Sequence, residues 1–220
     1  MVATLPAIDL TRLLAGFVVL IVSLTVHEAA HAWSADRLGD ETARRLGRLS
    51  LNPAVHIDPI GTILFPLIAM LTNLPIIGWA KPVPVSIARL RGNWRQKFMV
   101  IAAAGPASNV VLAVLAAIVL RVLGPAESGG DAIAASVANR LELLFETAVY
   151  VNVLLAVFNM VPVPPLDGGN VLAGLLTGPA ANAFDRLRPY GFLILYALLL
   201  TDVLWMLVSP PAQLLLSLLL

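Results

Sequence analysis

The chain has 220 residues, of which 59% are hydrophobic and 12% are charged, and its mean hydropathy is +0.90. An ordinary soluble domain contains about 25% charged residues, so this composition excludes a typical water-soluble protein. The net charge of +1 gives no reason to expect a nucleic-acid partner. The absence of cysteine excludes disulfides and thiolate metal ligands.

Long uncharged runs indicate several membrane-spanning helices. Residues 13–33 contain one charged residue, Glu28, and three later runs contain no Asp, Glu, Lys or Arg: residues 59–80, 98–120 and 147–166. Each run has about the 20 residues that a helix needs to cross a bilayer. Glycines and prolines interrupt the apolar sequence after residue 166. We predict an all-α, multi-pass protein of the cell membrane, with about six transmembrane segments and a single domain over residues 1–220.

The first apolar run ends in His27-Glu28-Ala29-Ala30-His31. Two histidines four residues apart share one face of a helix, so both imidazoles can bind one zinc ion, and the glutamate beside them can activate a water. Polar groups at membrane depth are costly and are therefore functional by default. The motif predicts His27 and His31 as zinc ligands and Glu28 as the catalytic residue of a protease that works inside the bilayer.

A catalytic zinc ion normally has three protein ligands and one open position, so a further ligand is expected elsewhere in the chain. Asp167 is the best candidate because it lies between a proline-rich segment, which breaks the helix, and two glycines, which permit close backbone approach. Asp58 lies in a polar loop, where a solvated position explains it. For His56 we favour a loop position or a place behind the ligands over direct ligation.

Two polar segments, residues 36–58 and 81–97, contain nine of the fourteen basic residues. Basic loops favour the cytoplasm, yet a single crossing by residues 59–80 would place these two segments on opposite sides. One solution is that part of this region turns back into the protein. Alternating apolar residues predict a small β element in the loops 44–52 and 79–86, whose backbone could hold an unwound substrate by strand addition.

These motifs together resemble the site-2 protease family of intramembrane zinc metalloproteases, peptidase family M50, in its small form without a PDZ or CBS domain. The sequence from His27 to His31 is similar to the first motif of that family. Residues 159–169 are similar to its N-x-x-P-x-P-x-L-D-G motif, and residues 104–109 to its A-G-P-x-x-N segment. The resemblance extends over roughly residues 10–190.

The resemblance implies that His27, His31 and Asp167 hold one Zn²⁺ per chain and that Glu28 is the catalytic acid/base. It also implies a core of three transmembrane helices, formed by the first run, residues 98–120 and residues 147–166. The expected substrates are transmembrane proteins or peptides, cut in regulated proteolysis or in the clearance of membrane peptides, and a regulatory membrane partner could exist. Asn159 and Asn109 could support the substrate or the oxyanion, with helix-to-helix hydrogen bonding as the alternative for both.

Other functions remain open at the level of the sequence. A membrane divalent-metal transporter could use histidines and aspartates in its spans, but it has no need for a glutamate directly after the first histidine. A zinc-binding relative without protease activity is a second alternative. A CAAX-type membrane metalloprotease would need a distant glutamate as its third ligand, and the chain has no glutamate after residue 146.

Overall fold

The computed structural model of the protein describes residues 10–72, 79–124 and 132–220. These residues form helices and connecting loops, and no strand occurs among them. The α-helices are α1 (Leu10–Arg37), α2 (Thr42–Arg45), α3 (Phe65–Thr72), α4 (Trp94–Leu123), α5 (Ala132–Asn159), α6 (Asp167–Leu175), α7 (Gly178–Leu187), α8 (Gly191–Leu200) and α9 (Val203–Leu219). A π-helical turn, Pro59–Leu64, leads directly into α3.

Three long apolar helices form the centre of the molecule. Helix α1 has 28 residues and α4 has 30, so at about 1.5 Å per residue each exceeds the thickness of a hydrocarbon core. In α5, the part Ala135–Asn159 is also long and apolar enough to cross a membrane. Helix α4 packs against both α1 and α5, and α1 also contacts α5, so these helices form a three-helix core.

Small residues bring these helices close together. Ala113, Ala116 and Ala117 of α4 form a buried cluster with Val149 and Val153 of α5. Helices in lipid gain little from excluding water, so close van der Waals packing of small side chains holds them together.

The prediction of six transmembrane segments is not confirmed. Among the described residues, three helices are long and apolar enough to cross a membrane. The pair Gly178–Leu200 and Val203–Leu219 adds a fourth if it counts as one span bent by 78°. Within the predicted span 59–80, the described residues 59–72 are helical, and residues 73–78 lie outside the described part of the chain. The described helical residues number fourteen, compared with the roughly 20 that span a bilayer.

The predicted β element in the loops 44–52 and 79–86 is also wrong. The first loop contains the end of α2 and a series of turns, and the second has no ladder partner. Pro82 and Pro84 remove two N–H groups from the second loop, and a strand needs such groups for pairing. The two loops do meet, but through a side chain, because Arg48 Nη2 donates to the carbonyl of Lys81 at 2.5 Å.

Both polar segments lie at the same end of the helix bundle. Lys97 Nζ donates to the carbonyl of Leu38 at 3.1 Å, and the N–H of Ser86 donates to Asp40 Oδ2 at 2.6 Å. The chain between the segments therefore returns to the end from which it started. This arrangement removes the conflict with the preference of basic loops for one side of the membrane.

Candidate metal centre

Helix α1 places the three polar side chains of its motif inside the protein. His27, Glu28 and His31 are 4%, 8% and 8% exposed, although they lie in one of the most apolar parts of the chain. The regular geometry of α1 puts the two histidines on the same face, one turn apart. Their Nε2 atoms lie 3.1 Å from each other.

The carboxylate of Asp167 completes a group of three close ligand atoms. Its Oδ2 atom lies 3.1 Å from His27 Nε2 and 3.3 Å from His31 Nε2. These three side chains form the candidate metal-binding group among the described residues. Their ligand atoms all lie within 4.8 Å of one another. Asp167 reaches the histidines because α5 ends at Asn159 and the chain turns before α6 starts at Asp167.

Hydrogen bonds on the far side of the two histidine rings orient the rings and place a proton on Nδ1 of each. His27 Nδ1 donates to the side-chain oxygen of Asn109 at 2.6 Å, and His31 Nδ1 donates to the carbonyl of Ile101 at 2.7 Å. Both acceptors are oxygens, so each Nδ1 carries a proton, and Nε2 is the ring nitrogen that faces Asp167 and is available to a metal ion.

Asp167 Oδ2 is buried and has no hydrogen-bond donor among the described residues. Two imidazole nitrogens and a carboxylate oxygen at this separation are placed so that they could hold a metal ion. Two imidazole nitrogens and one carboxylate oxygen suit zinc, and three protein ligands leave a fourth position for water.

Gly105 of α4 gives the metal centre its space. A Cβ atom at this position would collide with His31 Nε2 and would lie 2.6 Å from His27 Nε2. Glycine therefore lets α4 approach the two ligand atoms closely. The sequence indicated this residue only as part of a family-like segment, and the structure gives it a physical role.

Asn109 lies behind His27 and does not line the cavity in front of it. Its Nδ2 donates to Asn152 Oδ1 at 2.9 Å and to the carbonyl of Ser23 at 3.5 Å, while Asn152 in turn donates to the carbonyl of Ala148 at 2.8 Å. These amides join α1, α4 and α5 through hydrogen bonds. The position favours the helix-to-helix role for Asn109 over contact with a substrate.

A cavity of about 530 Å³ opens in front of the ligands. Its walls include the three candidate ligands together with Glu28, Asn159, Trp79, Val83, Phe192 and Asn170. Asn159 faces this space while its Nδ2 donates to the carbonyl of Leu155 at 3.0 Å. The volume is sufficient for several residues of an extended peptide, because drug-sized ligand pockets have about 300–1,000 Å³.

Glu28 is held by a backbone group that sequence reasoning did not identify. Its Oε2 accepts a hydrogen bond from the N–H of Val83 at 2.9 Å. Val83 lies between Pro82 and Pro84 and has the one N–H group in that tripeptide. The proline pattern was visible in the sequence, but its contact with Glu28, 55 residues away, was not.

Asn170 is a second residue that the sequence did not single out. It lies one turn after Asp167 on α6, lines the cavity, and accepts a hydrogen bond from Arg188 Nη2 at 2.9 Å. Its spacing from Asp167 could have indicated it, since residues three apart share a helix face.

His56 and Asp58 do not join the metal centre. His56 Nε2 donates to the carbonyl of Ser50 at 2.8 Å. Asp58 Oδ1 accepts from the N–H groups of Ile60 and Gly61 and so caps the following helical turn. Both residues therefore shape the loop that contacts residues 79–86.

Comparison with known proteins identifies the family. The chain is 36% identical over 192 residues to "Putative zinc metalloprotease YwhC" of Bacillus subtilis strain 168, covering 86% of this chain and 83% of the relative. The sequence model of Peptidase family M50 matches residues 126–201. The chain belongs to peptidase family M50. It is thus a metallopeptidase of a membrane protease family, and zinc is the metal that the family implies.

A second relative has a lower sequence identity to this chain. "Putative zinc metalloprotease Rip2" of Mycolicibacterium smegmatis is 32% identical over 187 residues, which cover 84% of this chain and 66% of the relative. No solved structure matches this chain. The matched family segment contains Asn159 and Asp167, while the histidine motif lies before it.

Proposed function

We propose that this M50 protein is an intramembrane zinc metalloprotease that hydrolyses peptide bonds within transmembrane segments of other membrane proteins. One observation carries the proposal. Three candidate ligand atoms, from His27, His31 and Asp167, meet beside Glu28. They meet within a core of helices long enough to span a bilayer.

The residues suggest a mechanism of general acid–base hydrolysis. A zinc ion at this site supplies positive charge that makes the attacking water more acidic and stabilises the oxyanion. Glu28 takes the proton of the water as the water oxygen bonds to the peptide carbonyl carbon. Glu28 then gives that proton to the departing nitrogen when the C–N bond breaks. Asn109 and the Ile101 carbonyl accept the Nδ1 protons of His27 and His31, which leaves Nε2 of each ring to hold the metal ion.

Asn159 is our candidate for a contact with the substrate backbone. It lines the cavity beside the ligands, and an amide retains donor and acceptor capacity after one bond to Leu155. We expect Asn159→Ala to lower turnover while zinc content stays at the wild-type level. Turnover equal to that of the wild type would remove this residue from the substrate site.

The charge distribution supports a cytoplasmic position for the site end of the bundle. Eleven of the fourteen basic residues lie in the two polar segments and at positions 186 and 188. At that end, Arg95 of the second segment pairs with Asp185 of α7. The other three are Arg12, Arg121 and Arg140. Basic residues concentrate on the cytoplasmic side of membrane proteins, so we place the active site near the cytoplasmic face of a cell membrane.

The decisive experiment measures zinc content and cleavage of a model transmembrane substrate in detergent. Wild type is compared with Glu28→Gln and Asp167→Ala. We expect about one zinc per wild-type chain with cleavage, retained zinc without cleavage in Glu28→Gln, and weakened zinc binding in Asp167→Ala. If Glu28→Gln cleaves like wild type, the site is not hydrolytic in the proposed way. Zinc binding without cleavage in the wild type would favour a transporter or a non-proteolytic relative.

A further inference from the structure

Residues 79–86 have no regular secondary structure, yet hydrogen bonds hold them at both ends and in the middle. At the start, the N–H of Trp79 donates to the carbonyl of Gly61 at 3.0 Å, and Thr62 Oγ1 donates to the carbonyl of Trp79 at 2.8 Å. At the end, the N–H of Ser86 donates to Asp40 Oδ2. We call residues 79–86 the strap, because they pass over the cavity between these two attachments.

Arg48 attaches the middle of the strap. Its side chain donates from Nη2 to the carbonyl of Lys81 at 2.5 Å and to the carbonyl of Pro82 at 3.4 Å. The N–H of Lys81 also donates to the carbonyl of His56 at 2.9 Å. Arg48 is only 7% exposed, and a buried guanidinium is tolerated when such bonds compensate for lost water. These contacts fix the two peptide units on either side of Pro82.

A single peptide plane joins Arg48 to Glu28. The carbonyl of Pro82 and the N–H of Val83 belong to the same peptide unit, which is planar and rigid. Arg48 donates to the oxygen of this unit, and Glu28 accepts from its nitrogen. Whatever orients the carbonyl therefore also orients the N–H, and hydrogen bonds in such a chain strengthen one another.

The orientation of the Glu28 side chain depends on the hydrogen bond from Val83, whereas other groups orient the two histidines. His27 and His31 are held from behind by groups of α4. In the described part of the chain, the hydrogen bond to the Glu28 carboxylate comes from Val83. A glutamate has three rotatable side-chain torsions, so this bond decides where its oxygens lie.

We propose that Arg48 is a positioning residue of the active site. It fixes the Pro82–Val83 peptide so that the Val83 N–H holds the Glu28 carboxylate in the geometry needed for proton transfer. Arg48 touches neither the metal ligands nor the reacting atoms, and it acts through the strap. The turnover part of its test rests on the proposed protease function.

The first test compares Arg48→Ala and Arg48→Lys with the control Arg45→Ala. Arg45 lies in the same polar segment and makes an exposed ion pair with Glu41. We expect Arg48→Ala to keep its zinc and its KM while kcat falls on the order of 10- to 100-fold, as for displaced catalytic groups. Arg48→Lys should recover part of the loss, and Arg45→Ala should equal wild type. An unchanged kcat, or a loss of zinc in parallel with activity, would overturn the proposal.

A double-mutant cycle tests the route through Val83. Val83→Pro removes the N–H group, and Val83→Ala keeps it. We expect Val83→Pro to lose more kcat than Val83→Ala, and Arg48→Ala to have little further effect in the Val83→Pro background, because both changes break the same link. Independent, multiplicative losses would show that Arg48 acts in some other way.

Hydrogen–deuterium exchange gives a readout that does not depend on activity. In chelator-treated full-length protein, Arg48→Ala should speed exchange in peptides that cover the strap, while peptides from α1 and α4 keep their wild-type rates. Unchanged strap exchange would overturn the proposal even if turnover fell. If wild type fails to cleave but the strap still loosens, the proposed protease function fails and the attachment by Arg48 stands.

Discussion

The two walls of the cavity are built in different ways. The wall made by α1, α4 and α6 carries the three candidate ligands, and close helix packing positions them. The opposite wall is the strap, which is not part of any helix. Hydrogen bonds attach it to the rest of the protein at separate points. The helical wall carries the candidate metal ligands, while the strap contacts Glu28. Substitutions in the two walls should therefore separate zinc content from turnover.

The largest effect is expected from Gly105→Ala in the helical wall. The added methyl group would occupy the space of the two ligand nitrogens, so we expect loss of both zinc and cleavage. Metal analysis of the purified protein measures the first and the model substrate measures the second. Ala107→Val adds atoms at an exposed position of the same helix and should keep both. Full zinc content in Gly105→Ala would mean that α4 can move away from the ligands.

A smaller loss of zinc affinity is expected for Asn109→Ala. Without the acceptor of the His27 Nδ1 proton, the imidazole loses its fixed tautomer and orientation, and such outer contacts are worth about 10- to 100-fold in metal affinity. Competition with a chromogenic chelator measures the change. The matched control is Ser108→Ala, which removes a hydroxyl that donates to the carbonyl of Gly105. Equal affinities in all three proteins would contradict the role given to Asn109.

Gly61 lies beside the start of the strap, and Gly61→Ala should lower turnover and leave zinc in place. A Cβ atom here would lie 2.5 Å from the indole of Trp79, so the beginning of the strap must shift. We expect kcat to fall on the order of tenfold with about one zinc per chain. Ile60→Ala, at an exposed neighbour, is the control. If Gly61→Ala loses its metal, the two walls are not independent and the comparison fails.

The smallest effect is expected from Asp40→Asn at the far end of the strap. Asp40 is fully buried and accepts from the N–H of Ser86, from the N–H of Thr42 at 3.0 Å and from the Thr42 hydroxyl. An amide has one acceptor oxygen in place of two, so one attachment weakens. We expect a decrease in kcat on the order of fivefold, the equivalent of about 1 kcal/mol. Steady-state kinetics with parallel zinc analysis would show whether the loss is confined to turnover.

The helical wall was accessible to sequence reasoning because its signals are local. The four-residue spacing of His27 and His31 predicts a shared face, and the prolines and glycines around Asp167 predict a break where a carboxylate can turn inward. The structure brings these three side chains together. The runs of uncharged residues likewise predicted the first two central helices, whereas the third, α5, occupies Ala132–Asn159 and not residues 147–166. Each of these signals depends on residues that are neighbours in the sequence.

The structure of the strap was predicted wrongly because its contacts are not local in the sequence. Alternating apolar residues in loops 44–52 and 79–86 suggested paired strands. Instead, Arg48 and Thr62 donate hydrogen bonds to residues 79–86, and the carbonyls of Gly61 and His56 accept hydrogen bonds from them. These partners are remote from the strap in sequence. Apolar length also predicted more spans than the described residues show. Residues 59–72 are apolar and helical, but hydropathy alone cannot distinguish a crossing from a return.

The amide pair Asn109–Asn152 limits the routes by which a transmembrane segment could reach the cavity. It ties α4 to both α1 and α5 at the level of His27, so separating α4 from either helix would expose unpaired amides to lipid, which is costly. Trp79 of the strap and Phe192 of α8 line the same cavity and belong to none of these three helices. If the substrate is a transmembrane segment, as proposed, entry beside the strap and α8 would leave the amide pair intact.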